Sequence, residues 1–119
     1  MTTYWQGFED FVFERIQKDF PDYEVEYHPI LENGLRPDYI LNSAESIVVA
    51  DAKEKNRLQA SDVKQIAEYI YELDADFGVI YVSSYTKISK RLLVLARSKK
   101  IKIIQSIWSI MTYYGRTNC

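Results

Sequence analysis

A single cysteine, Cys119, stands at the last of the 119 positions. With no second thiol there is no internal disulfide and no cysteine-built zinc or redox centre. Glycine is scarce as well: of the four present, none belongs to a Gly-rich loop after an expected strand, which speaks against a phosphate-cradling nucleotide domain. No apolar run approaches the roughly 18 residues that a membrane span needs. Residues 1–20 mix charged and aromatic side chains and lack the basic start and apolar stretch of a secretory signal, so a cytoplasmic or nucleoid-associated protein without membrane contact is expected. Acids are missing from one end altogether. All 17 lie at or before Asp76, and residues 77–119 hold Lys87, Lys90, Arg91, Arg97, Lys99, Lys100, Lys102 and Arg116. Behind a net charge of −2, that segment carries +8, while residues 1–76 set seven cations against the 17 acids, a balance of −10. Such segregation suits a cationic surface for a polyanion and an acidic region able to hold metal.

What is present fits one globular unit over residues 1–119, with 47% apolar and 27% charged residues. Trp5, Phe8, Val12 and Ile16 recur at helical spacing and predict an amphipathic helix over residues 5–19, ended by Pro21, with Glu9 beside the stripe. Tyr23, Val25 and Tyr27 alternate with Glu24, Glu26 and His28 as in a strand with one face buried, and Asn33-Gly34 reads as a turn. Pro37 biases Arg36 to extended angles, so residues 35–41 form the next strand. A reversal at residues 42–45 returns the chain into Ile47-Val48-Val49-Ala50-Asp51-Ala52-Lys53, which begins with a continuous apolar run. Ser61 is placed as the N-cap of a helix through Leu73. A strand over 77–82, a helix over about 87–98 with Ile88, Leu92 and Leu95 inward, a short strand over 101–104 and a last helix in 106–114 complete the order. The α-β-β-β-α-β-α-β succession predicts an α/β sandwich around a central mixed sheet.

Within that frame three charged residues converge. Asp51 and Lys53 are two apart on one strand and share a face, at the end of an apolar run where unpaired charge is costly. Asp38 lies 13 residues earlier on the neighbouring strand, and the turn between them brings it alongside. Two close carboxylates repel unless a cation compensates, and Mg²⁺, which takes oxygen ligands and keeps several waters, is the natural one. Such an ion activates water and polarises a phosphoryl oxygen, while a lysine neutralises charge developing on the phosphate.

Arg36-Pro37-Asp38 followed by Asp51-Ala52-Lys53 resembles the PD…(D/E)XK signature of the restriction-endonuclease-like nucleases. The element order is similar too. The resemblance implies a restriction-endonuclease-like α/β/α sandwich and metal-dependent DNA cleavage. It also implies Mg²⁺ (with Mn²⁺ substituting) held by Asp38, Asp51 and the Ala52 carbonyl, and Lys53 assisting water activation. Phe8-Glu9-x-x-Val12 looks like the family's F-E-x-x-V pattern and implies Glu9 as an auxiliary acid and ligand, ahead of Glu14. Gln65 matches the glutamine that helps position the site in Mrr-like nucleases, and the closing β-α-β unit is similar to theirs. The Mrr-like signature has glutamate where Asp51 stands, and archaeal Holliday-junction resolvases share the minimal architecture.

The expected function is therefore a Mg²⁺-dependent DNA endonuclease of defence, recombination or repair type. The alternative is an inactive nuclease-fold subunit for DNA binding or assembly, which the intact Asp38, Asp51 and Lys53 set disfavours. Lys55, Arg57, Lys87, Lys90 and Arg91 are the candidate phosphate contacts. His28 reads as a surface or edge residue without an obvious partner. Trp108, Met111, Tyr113 and Tyr114 read as packing on the core or on a second copy, so a homodimer joined over residues 107–114 is expected, with a partner protein supplying any sequence specificity.

Overall fold

In the computed structural model the described residues are 4–32 and 34–105, with the side chains of 4–6 left aside. The elements are α1 (Tyr4–Asp19), β1 (Glu24–Tyr27), β2 (Tyr39–Asn42), β3 (Ile47–Lys53), α2 (Ala60–Leu73), β4 (Phe77–Val82), α3 (Lys90–Ser98) and β5 (Ile101–Gln105). The sheet has the order β1-β2-β3-β4-β5. β1, β2 and β3 form an antiparallel meander, and β3, β4 and β5 run parallel. Parallel neighbours require crossovers, which α2 and α3 supply.

Strand periodicity divides the core into two layers. Phe8, Val12 and Ile16 of α1 pack against Tyr39, Leu41, Val48, Ala50, Val79 and Tyr81 on one face. Val63, Ile66 and Tyr69 of α2 and Leu92 and Ala96 of α3 cover Val49, Ile80, Val82 and Ile101 on the other. The strands at the centre are buried on both sides, which is why β3 and β4 read as near-continuous apolar runs. The result is the α/β sandwich around a mixed sheet that the sequence predicts.

Several local expectations are corrected. Ala60, one residue before Ser61, opens α2; Gln59 is its N-cap, and Asp62 Oδ2 accepts the Gln59 N–H at 2.8 Å. A carboxylate three residues into the helix reaches back to an otherwise orphaned donor. α3 starts at Lys90 rather than Lys87, because Ser89 caps it through the Leu92 N–H at 3.1 Å. Lys87 lies outside the helix, its backbone bridged to Arg57. β2 begins at Tyr39, four residues later than the segment expected from 35. β1 is an edge strand, so of the expected inner face Tyr27 is 40% exposed, and Val25 and the preceding Tyr23 are only half-buried. Gly34 takes φ +82, as a turn glycine should, while Asn33 lies outside the described residues. The expected helix in 106–114 and the dimer surface over 107–114 also lie outside them, as do Arg116 and Cys119.

Candidate active site

β3 carries the site. Asp51 pairs in register with Ile80 of parallel β4 and is 3% exposed, and Lys53 pairs with Val82. Both stand at the carboxyl end of the parallel strands, where open α/β sheets present their ligand crevices. Asp38 precedes β2, whose Tyr39 pairs with Ala50, so the antiparallel register sets Asp38 beside Asp51.

The two aspartates clasp each other's strands. The Asp38 backbone N–H donates to Asp51 Oδ1 at 2.8 Å, and the Ala52 N–H donates to Asp38 Oδ2 at 2.9 Å. Lys53 Nζ lies 3.5 Å from Asp51 Oδ2 and donates to Gln65 Oε1 at 3.0 Å. Gln65 projects from α2 and thus fixes the ammonium from the layer above the sheet. Asp38, Asp51, Lys53 and Gln65, expected together, meet here, with Ala52 between the two β3 charges.

Glu9 enters from the opposite layer and, although an acid, is 3% exposed. Its Oε1 accepts from Tyr27 Oη at 3.0 Å and lies 2.8 Å from His28 Nε2. His28 is exposed and follows the edge strand β1, as the surface or edge reading expects, but it does have a partner in Glu9. The His28 N–H donates to the Asp38 carbonyl at 2.8 Å, continuing the β1–β2 ladder by one residue, and its φ is +53. One oxygen or nitrogen each from Glu9, His28 and Asp38 lies within 4.8 Å of the others. Tyr69 of α2 was also missed. Burial raises its phenol first, then the charges of Asp51 and Asp38.

Burial and mutual repulsion dominate the electrostatics. Asp51 is pushed up to about 7, by burial first and then by Asp38, against the Asp38 N–H and Lys53, which pull it down. Burial raises Asp38, opposed by the Ala52 N–H, Lys53 and His28. Glu9 is raised by burial and then by Asp38. Burial thus holds all three carboxyls against ionisation, and Glu9 and Asp38 with His28 form a group of donors able to hold a metal ion.

A pH dependence of stability follows. The folded pKa of Asp51 lies above its unfolded value near 3.8, so the stabilisation is full below that value and is lost as pH rises to about 7. In chelator, the parent should lose stability relative to Asp51→Asn between pH 5 and pH 8. Urea unfolding at both pH values measures it; a parent that instead gains on the variant contradicts the raised pKa.

The cations are divided by the course of the chain. α3 runs back from the carboxyl end of β4 to the start of β5, so Lys90 and Arg91 lie at the site's end of the sheet. Lys99, Lys100 and Lys102 lie at the far end, and Lys100 and Lys102 line an open groove of about 440 Å³ with Phe77 and Leu93. The basic segment is therefore not one face. Lys55 is tied to Asp62 at 3.0 Å, and its carbonyl accepts from Thr86 Oγ1 at 2.6 Å. Lys87 donates its N–H to the Asn56 carbonyl at 2.8 Å, pinning the two loops together, with the Arg57 and Lys87 residues exposed.

No protein-family model and no curated protein matches the sequence. Solved structures do match in shape. EndoMS, in a complex with double-stranded DNA, superposes with a TM-score of 0.62 at 16% identity, over 89% of this chain and 45% of that one. A repair endonuclease from Pyrococcus abyssi gives 0.59 at 16% identity, over 82% and 44%. Pyrococcus furiosus SfsA, solved with Ca²⁺, gives 0.55 at 12% identity, over 84% and 54%. The chain thus spans about half the length of each of these three proteins. Among the described residues no helix is long and apolar enough to cross a membrane. With its five-stranded mixed sheet between α1 on one side and α2 and α3 on the other, the chain has the restriction-endonuclease-like α/β/α sandwich fold.

Proposed function

We propose that this chain is a metal-dependent DNA endonuclease domain of the PD-(D/E)XK type, hydrolysing phosphodiester bonds at the end of β3. The observation that carries the reading is the clasp between Asp38 and Asp51, with Lys53 fixed beside it by Gln65. Neighbours described as a repair endonuclease and as a complex with double-stranded DNA support DNA as the substrate.

Asp38, Asp51 and the Ala52 carbonyl would hold Mg²⁺, or Mn²⁺ in its place. A bound ion of this kind lowers the pKa of water and polarises a phosphoryl oxygen. Lys53 keeps a positive charge next to the reacting phosphate, where charge accumulates in the transition state, and Gln65 holds the ammonium so that little reorganisation is needed. Lys87, Lys90, Arg91 and Arg57 orient the DNA backbone without reading sequence. Lys55 acts indirectly, bracing the loop through Asp62.

Cleavage of linear duplex, four-way junction and single-stranded DNA, each with Mg²⁺, Mn²⁺ or chelator, tests this reading and ranks the substrates. Metal-dependent cutting of at least one is expected; none with any divalent ion rejects it. The binding surface has its own test. Lys90→Ala with Arg91→Ala should weaken DNA binding across all sequences and lower the salt slope by about one unit per lost phosphate contact. Lys99→Ala with Lys100→Ala, at the far end of the sheet, should not. Binding isotherms over a salt series decide it, and equal losses from the two pairs would contradict the assignment.

A further inference from the structure

We infer that Tyr85, on the turn after β4, is a stacking platform for an unpaired base beside the cleavage site, and that the DNA this chain cuts has a single-stranded segment there. The inference rests on the proposed nuclease reading and narrows its substrate.

The sheet places the turn. Val82 pairs in register with Lys53, and Tyr85 follows three residues later, at most about 11 Å of chain. The Thr86 N–H donates to the Ser83 carbonyl at 3.2 Å, which closes a tight turn with Ser84 and Tyr85 at its centre. Ser83 and Thr86 are buried, whereas Tyr85 is 46% exposed. Among the described residues its ring stacks on no other and its hydroxyl bonds to none.

Hydrogen bonds tie this turn to three other segments. Gln105 Nε2, at the end of β5, reaches the carbonyls of Ser83, Ser84 and Thr86 at 3.1, 3.2 and 2.7 Å. Ser83 Oγ lies 2.8 Å from Thr86 Oγ1, which donates to the Lys55 carbonyl at 2.6 Å. The Leu58 N–H donates to the Lys87 carbonyl at 3.0 Å. A turn held in this way keeps the Tyr85 backbone fixed, so little conformational freedom is lost when a base lands on the ring.

The neighbouring charges indicate what the ring meets. The charged residues that follow it, Lys87, Lys90 and Arg91, are cationic, and the Arg57 backbone is bridged to Lys87. An exposed aromatic among cations, on a rigid support, is the arrangement that holds single strands, with phosphates on the cations and bases on the ring. In an intact duplex the faces of each interior base are covered by its neighbours, so the platform adds nothing there. A base freed from pairing can turn onto it.

Binding isotherms in Ca²⁺, which takes oxygen ligands as Mg²⁺ does, compare a single-stranded oligonucleotide with its blunt duplex. Tyr85→Ala should weaken binding of the single strand about 5- to 150-fold, the loss of one stacked base, and weaken the duplex far less. Its salt slope should match the parent's, because no charge is removed. Tyr85→Phe, which keeps the ring, should retain the affinity, whereas Tyr85→Leu, apolar but without a π-face, should not. An oligonucleotide carrying 5-iodouracil, which couples under light to an aromatic ring stacked on it, should join to Tyr85 of the parent. Single-strand affinity that is unchanged in Tyr85→Ala, or that falls no more than duplex affinity, overturns the platform and leaves the nuclease reading standing. Coupling that maps to another residue overturns it too, and a parent that binds neither form of DNA rejects both readings.

Discussion

Asp51→Asn should reduce cleavage by more than about a hundredfold, because that loss is already typical for removing a group that merely supports a metal ligand. In the proposed reading Asp51 is closer than that, a ligand itself. The substitution keeps shape and removes only charge. Asparagine retains an oxygen to accept the Asp38 N–H now bonded at 2.8 Å, so the clasp between the strands survives. The neutral side chain also suits a position only 3% exposed, where the carboxyl resists ionisation up to about pH 7. Metal-free Asp51→Asn should therefore be at least as stable as the parent at pH 8, while its Mg²⁺ affinity falls. Urea unfolding and calorimetric Mg²⁺ titration separate the two effects. A variant that binds Mg²⁺ like the parent would show that Asp51 is a structural acid.

Lys53→Ala is expected to lower the single-turnover rate by about 10²–10³-fold, the usual loss when one preorganised transition-state charge is removed. The Lys53 side chain is 23% exposed and spans Asp51 and Gln65, so its removal takes away the cation without opening the core. Metal should still bind, since the carboxylate donors and the Ala52 carbonyl remain. The rate and the metal affinity thus part company, unlike in Asp51→Asn, where both fall. Gln65→Ala should cost less, about 10–100-fold, because it frees the ammonium rather than deleting it. Lys53→Arg should not restore the rate fully, since a planar fork does not reproduce a compact ammonium. If Lys53→Ala cuts at the parent rate with saturating Mg²⁺, the lysine is a surface ion-pair partner and nothing more.

The parts of this site that follow from local periodicity were legible in the sequence. Two-residue spacing on an apolar strand put Asp51 and Lys53 on one face, and the short reversal before β3 brought Asp38 beside them. The helical stripe of Phe8, Val12 and Ile16 located α1 and, with it, Glu9. His28 was hidden for a physical reason. Its partner Glu9 is 19 positions away on another layer, and strand alternation says which way a side chain points but not what it meets there. A buried acid on α1 facing a strand with the chain's single histidine was the available signal. The basic segment misled in a similar way. Charge along the chain showed eight cations and no acid, but only the antiparallel course of α3 reveals that Lys90 and Lys100 lie at opposite ends of the sheet. Helix starts slipped in opposite directions: Ser61 reads as a cap by residue type although α2 opens before it, capped by Gln59 with Asp62 reaching back, and Ile88 extends an amphipathic pattern that Ser89 bounds.

The most direct test of the central claim is single-turnover cleavage of the preferred DNA by the parent, Asp51→Asn and Lys53→Ala under matched protein concentration, in Mg²⁺ and in chelator. The account predicts phosphodiester cleavage by the parent in Mg²⁺ alone, with both variants folded and at least about a hundredfold slower. Cleavage by the parent in chelator, or by Asp51→Asn at the parent's rate, would contradict it.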